Sequence, residues 1–317
     1  SEDPDGWDAF GALNTVGQHT SRIHLGTGVT NPYLRHPNLI AASLATLQRS
    51  SGGRAFLGFG RGEPDWYRTA FGMEIGSPLK RVQETISVLR QWWEPAQTAT
   101  NDGEFVVRNW TRAFHPGSPP PIYLAATGPK MFALAGSIAE GMRINLLAST
   151  ELIRTGVDQA RRAAAETGRD PGALRVFANP SLAITDSDAT FRRAINRAKG
   201  TMALIHVLPG MDRQLLGVDR QFDVERILAD VRTVMKTDEV LARGGSFADL
   251  RAAGDLPAAR ELIPDDLVLE VAAIGTWDQA KGHLARLQDA GVTDFLVDPA
   301  VVEDDEIRRL IMRNEFG

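Results

Sequence analysis

The 317-residue chain contains no cysteine. That one absence excludes disulfides, thiolate metal sites and a cysteine nucleophile, and it fits a reducing, cytoplasmic location. No apolar run approaches the roughly 18 residues that a membrane-spanning helix needs, and no signal peptide is read at the start. The six histidines (His19, His24, His36, His115, His206 and His283) are scattered. None pairs at helical spacing and no HExxH occurs, so no metal site is expected. His24 is expected inside a strand and His283 inside a helix, both as structural residues. A GxSxG elbow is missing too, which excludes the common serine-hydrolase arrangement. Basic blocks are absent and the net charge is −5. Neither nucleic acid nor an anionic membrane is therefore an expected partner.

What is present is an ordinary globular composition, 43% hydrophobic and 24% charged. Short apolar strands alternate with amphipathic helices, the pattern of a parallel sheet with helical crossovers. Strands are predicted at 22–29, 55–60, 121–126, 142–147, 175–184 and 293–297. Helices are predicted at 7–20, 37–50, 78–93, 129–140, 151–167, 276–290 and 304–313. Residues 94–120 read as a surface excursion with a small hairpin through Phe105-Val106-Val107. Residues 187–271 read as a mostly helical insertion, either a lid or a packed excursion. A closed (β/α)8 barrel needs eight strands. The six predicted here, with a loop-like start at Ser1-Glu2-Asp3-Pro4, give a TIM-like α/β barrel with insertions whose first βα unit is missing. The whole of 1–317 is expected to be one domain.

Three strand exits carry the candidate chemistry. Thr27-Gly28-Val29-Thr30-Asn31 brings glycine to a strand end, where backbone can approach a flat ligand closely; a tight βα turn explains the spacing equally well. Gly58-Phe59-Gly60-Arg61-Gly62-Glu63 follows the next strand. A carboxylate at the barrel mouth there can relay protons, and a solvated loop glutamate is the plainer reading. No helix is predicted to open directly after these glycines, which disfavours a Rossmann loop. Ala126-Thr127-Gly128-Pro129-Lys130 leads into a helix, whose first amides suit a phosphate. In a barrel, all three exits are expected to share one mouth.

Taken as a set, these segments resemble the luciferase-like superfamily. The nearest likeness is to coenzyme F-420-dependent reductases of the methylenetetrahydromethanopterin reductase kind. Gly28-Val29-Thr30-Asn31-Pro32-Tyr33 with Arg35 and Pro37 carries it, with Ala45-Thr46-Leu47, Ser51-Gly52-Gly53-Arg54-Ala55, and Gly128-Pro129 with Met131. The resemblance implies a TIM-like barrel, hydride transfer at a deazaflavin or flavin ring, and a homodimer. It places a cis peptide bond at Gly28–Val29. It assigns cofactor contacts to Gly28, Val29, Asn31, Arg61, Gly62, Thr127, Gly128 and Lys130, and proton transfer to Glu63.

The sequence also departs from the family pattern. Glu2 and Asp3 stand where many deazaflavin members carry Asp-His, and are taken as lining the catalytic mouth. Trp66 stands where an asparagine near the ring is usual, and stacking would replace a hydrogen bond. The function expected is hydride transfer between F-420 and a small organic substrate. An FMN-dependent monooxygenase using molecular oxygen is the first alternative, and a non-catalytic cofactor-binding member the second.

Overall fold

The computed structural model describes residues 6–297 except 97 and 115. Glu2, Asp3, His115 and the helix predicted at 304–313 lie outside the described residues. The chain divides into two compact units.

The first unit comprises residues 6–126, Ala133–Arg143 and Ala163–Leu174. It begins with α1 (Ala9–Gln18), β1 (Leu25–Gly26), α2 (Pro37–Ser50) and β2 (Ala55–Phe59). Helices α3 (Pro64–Phe71) and α4 (Pro78–Gln91) follow, then β3 (Thr98–Asp102), β4 (Val106–Thr111) and β5 (Ile122–Ala125). Helix α5 (Pro129–Ile138) leads to β6 (Gly141–Ile144). Strands β1, β2, β5 and β6 pair in that order, all parallel. Strands β3 and β4 form the antiparallel hairpin that the Phe105-Val106-Val107 run predicts.

Burial follows the apolar pattern. Leu57, Phe59, Leu124 and Met142 on the strands are wholly buried, as are Ile40, Leu47 and Val82 on the covering helices. Helix α2 starts at Pro37, whose missing N–H costs nothing in a first turn. It ends where Gly52 and Gly53 take positive φ. Arg54 then ties this end to the α1–β1 connection. Its guanidinium donates to the carbonyls of Ser51, Gly17, Thr20 and Ile23, which explains the Ser51-Gly52-Gly53-Arg54 signature physically.

The second unit comprises Thr127–Phe132, Ile144–Arg162 and the described residues from Arg175 on. After α6 (Thr150–Glu166) come β7 (Arg175–Ala178) and β8 (Ala183–Ile184). Six helices then fill the insertion: α7 (Asp188–Ile205), α8 (Val224–Val234), α9 (Thr237–Ala242), α10 (Phe247–Ala253), α11 (Leu256–Leu262) and α12 (Asp265–Val271). Strand β9 (Ile274–Gly275), α13 (Trp277–Asp289) and β10 (Asp294–Phe295) complete the described chain. Strand β10 pairs with β7, and β9 with β8, both parallel. No helix among the described residues is long and apolar enough to cross a membrane.

Several elements differ from the sequence reading. Only Leu25–Gly26 of the predicted strand 22–29 is strand. His24 therefore lies just outside it and is exposed; His283 is buried in α13. The predicted strand 175–184 is split in two, since Pro180 offers no ladder N–H. Helix α3 was not predicted, and it opens at Pro64, directly after Glu63. The reason given for setting aside a Rossmann loop is thus incorrect at this point. Pro64 in the first turn is the overlooked signal.

Candidate active site

The first strand exit is held by backbone pairing. Thr30 donates to the Gly58 carbonyl at 3.0 Å, and Gly60 donates back to Thr30 at 2.9 Å. The Thr27 hydroxyl also reaches the Gly58 carbonyl, at 2.6 Å. Gly58 must be glycine, because a Cβ there would lie 1.9 Å from the Thr27 oxygen. The Gly28–Val29 peptide bond is cis, as the resemblance implied.

Asn31 is buried, and its amide is largely committed. Its Oδ1 accepts from the backbone of Tyr33 and Leu34, and its Nδ2 donates to the Tyr67 hydroxyl at 3.0 Å. One amide hydrogen remains for any other contact. The side chain thus fastens the β1 exit to α3, in which Tyr67 lies.

Glu63 and its neighbours sit between β2 and α3. Gly62 takes φ 64°, and a Cβ there would meet the Tyr67 hydroxyl at 2.8 Å. Arg61 and Glu63 face each other across 3.9 Å, both about one-third exposed. Burial pushes the Glu63 carboxyl pKa up; Arg61 opposes the shift and Asp65 reinforces it. A carboxyl so biased holds its proton further toward neutrality than an ordinary glutamate, which is the property a proton relay requires.

Arg143 on β6 was missed by the sequence reading. Ala125 and Arg143 are register partners, so their side chains share a sheet face. A Cβ at Gly60 would stand 3.1 Å from the Ala125 Cβ and 3.3 Å from Val29 Cγ2. Val29, Gly60 and Ala125 thus form a row of small groups. The Arg143 guanidinium donates from Nη1 to the Gly28 carbonyl. No sequence signal marked it, because an arginine on a strand reads as an edge or solvent residue.

In the second unit, the Gly128 carbonyl accepts from Met131 and Phe132 as α5 begins. First-turn amides have no carbonyl a turn earlier to bond to, so this corner suits an anion. Thr127 is half-buried and Lys130 exposed. Arg213, from the insertion, brings Nη1 to 3.0 Å from where a Gly128 Cβ would lie. The sequence reading missed this second cation. Nearby, His206 is fully buried with Nε2 3.1 Å from the Leu147 carbonyl. Burial lowers its pKa to about 4; Val207, Leu208 and Met211 around it are buried too, so this segment is packed rather than open. No group of three potential metal ligands occurs among the described residues.

Comparison with known proteins agrees with this architecture. The family model described as luciferase-like monooxygenase matches residues 2–294. The 5,10-methylenetetrahydromethanopterin reductase of Methanolobus tindarius is 31% identical over 91% of this chain and 81% of its own. Its counterpart from Archaeoglobus fulgidus is 29% identical over 94% and 83%. Among solved structures, the coenzyme F-420-dependent tetrahydromethanopterin reductase of Methanopyrus kandleri superposes with TM-score 0.74 and 27% identity. That match covers 96% of this chain and 85% of the other. An F-420-dependent secondary alcohol dehydrogenase superposes with TM-score 0.72 at 18% identity, covering 97% and 83%; it supports the fold alone.

Proposed function

The chain belongs to the luciferase-like monooxygenase family, an α/β fold of TIM-barrel type, and from that premise we propose that it transfers hydride between coenzyme F-420 and a small organic substrate. The observation that carries this reading is the similarity to F-420-dependent reductases along almost the whole chain.

The residues present fit such a cofactor. Val29 and Ala125 pack closely about Gly60, and such a row offers a flat ring only backbone and small groups to contact. Arg143 keeps donors uncommitted beside it. The start of α5, with Thr127, Lys130 and Arg213, is a donor set of the kind that takes a phosphate. A bound deazaflavin would supply the hydride chemistry.

The protein's own groups bind, orient and move protons. Gly28, Val29, Arg61 and Gly62 position the ring through backbone and the Arg61 charge. Asn31 acts chiefly by fixing the loop that presents them. Thr127, Gly128 and Lys130 hold the anionic tail. Glu63 holds the proton exchanged with substrate. Glu2 and Asp3 remain assigned to the catalytic mouth on the resemblance alone. The active form is a homodimer.

FMN-dependent monooxygenation is the second reading. Its support is the family model itself, which is described as luciferase-like monooxygenase. Titration of the purified chain with each cofactor, followed by absorbance, separates the two. Tight F-420 binding with weak FMN binding supports the first, and the reverse overturns it.

A further inference from the structure

The β1 exit and the loop ahead of α3 meet at one point. Gly62 is enclosed there: a Cβ on it would stand 2.8 Å from the Tyr67 hydroxyl oxygen and 3.0 Å from Asn31 Cγ. Asn31 Nδ2 donates to that same hydroxyl at 3.0 Å, so the hydrogen bond runs past Gly62. Tyr67 is 3% exposed and packs on Tyr33 with ring centroids 5.4 Å apart. Tyr33 is itself tied to Asn31, whose Oδ1 accepts from its backbone N–H. The β1 exit therefore grips Tyr67 twice, by a hydrogen bond and by a ring. On the other side, the backbone N–H groups of Trp66 and Tyr67 donate to the Glu63 carbonyl at 3.1 and 3.4 Å. Glu63 holds the N-cap position of α3, yet its carboxylate takes no hydrogen bond from that first turn. No capping bond fixes the carboxyl, so its place follows from the backbone at 62–63. The charged groups acting on it among the described residues are Arg61, on its own loop, and Asp65, on α3. Asp65 is paired in turn with Arg68.

The geometry points to Tyr67 as a positioning residue: its hydroxyl, held by Asn31, seats the Gly62–Glu63 backbone and so fixes how deeply the Glu63 carboxyl lies. This rests on the proton-holding role proposed above for Glu63 and extends it to the residue that sets it. Removing the hydroxyl keeps the ring packing but leaves a buried Asn31 donor without that acceptor. The loop then loses a link to the β1 exit, and the carboxyl gains water. Burial is what raises the Glu63 pKa, so its titration moves back toward the ordinary glutamate range.

The test compares wild type, Tyr67→Phe and Ile195→Val, all without cofactor. Ile195, buried in α7 of the second unit, serves as the control. Losing one buried methylene there weakens the fold about as much as losing one hydrogen bond. Glutamate carboxyls, isotopically labelled, are titrated by NMR, with the Glu63 signal identified by its absence in Glu63→Gln. The expected result is a Glu63 midpoint lower by about 0.5 pH units or more in Tyr67→Phe, and unmoved in Ile195→Val. An unmoved midpoint in Tyr67→Phe, or an equal shift in Ile195→Val, overturns the inference. In turnover with F-420, the high-pH limb of kcat should move down with the midpoint in Tyr67→Phe; a limb that stays in place overturns the role of this contact in the reaction. Wild-type protein that turns over nothing with F-420 overturns the proposed function, while the titration still decides whether Tyr67 seats Glu63.

Discussion

Glu63 shares its loop with Arg61, yet burial outweighs that cation and pushes the carboxyl pKa up. As an acid, it loses competence as pH rises through the raised value. Glu63→Gln should therefore lower turnover by about 10²-fold, within the usual range for a positioned acid–base group. The cofactor dissociation constant should change by less than about threefold. Steady-state kinetics with a parallel binding titration checks this, and equal loss of both would make Glu63 a binding residue. His206 supports a different prediction. Its folded pKa of about 4 lies below the ordinary 6.5, so the neutral form is favoured in the fold. The stability it contributes is complete above pH 6.5 and is lost as pH falls toward 4. At pH 5 the loss amounts to about 2 kcal/mol for this residue. His283, also near 4, adds to the same acid sensitivity. Denaturant unfolding at pH 7 and pH 5 should show a smaller pH effect in His206→Gln than in the wild type. Glu63 was legible from its place after a glycine-rich strand end. Arg143 and Arg213 were not, because the residues they contact lie far away in sequence.

The strand exits depend on local backbone fit. Gly62 at φ 64° faces the Tyr67 hydroxyl, which hydrogen-bonds Asn31. Gly62→Ala should destabilise the protein by roughly 1–2 kcal/mol from the left-handed conformation alone. Crowding against Tyr67 adds to that cost. Tyr67→Phe removes one buried hydrogen bond and should cost about 1 kcal/mol. Unfolding midpoints at constant m-value check both. The strand–helix alternation that predicted this sheet came from apolar runs such as Ala55–Phe59 and Ile122–Ala125. The hairpin at β3–β4 was also readable, from Phe105-Val106-Val107 and the polar residues around it. Helix α3 escaped because its eight residues, Pro64–Phe71, are fewer than the window over which helical periodicity is read. The pairing of β8 with β9 escaped because each strand is two residues long. No pattern survives at that length.

At the scale of the whole molecule, family membership and fold follow from similarity along nearly the full chain. The fold class was legible beforehand, since repeated βα units leave few topologies open. The substrate was not, because the insertion from α7 to α12 packs by generic helical burial and carries no chemistry-specific spacing. The central claim is that this chain holds a deazaflavin. Its most direct test is titration of the purified protein with F-420 and with FMN under identical conditions. The account predicts that F-420 binds at least tenfold more tightly than FMN. Tighter binding of FMN would contradict it.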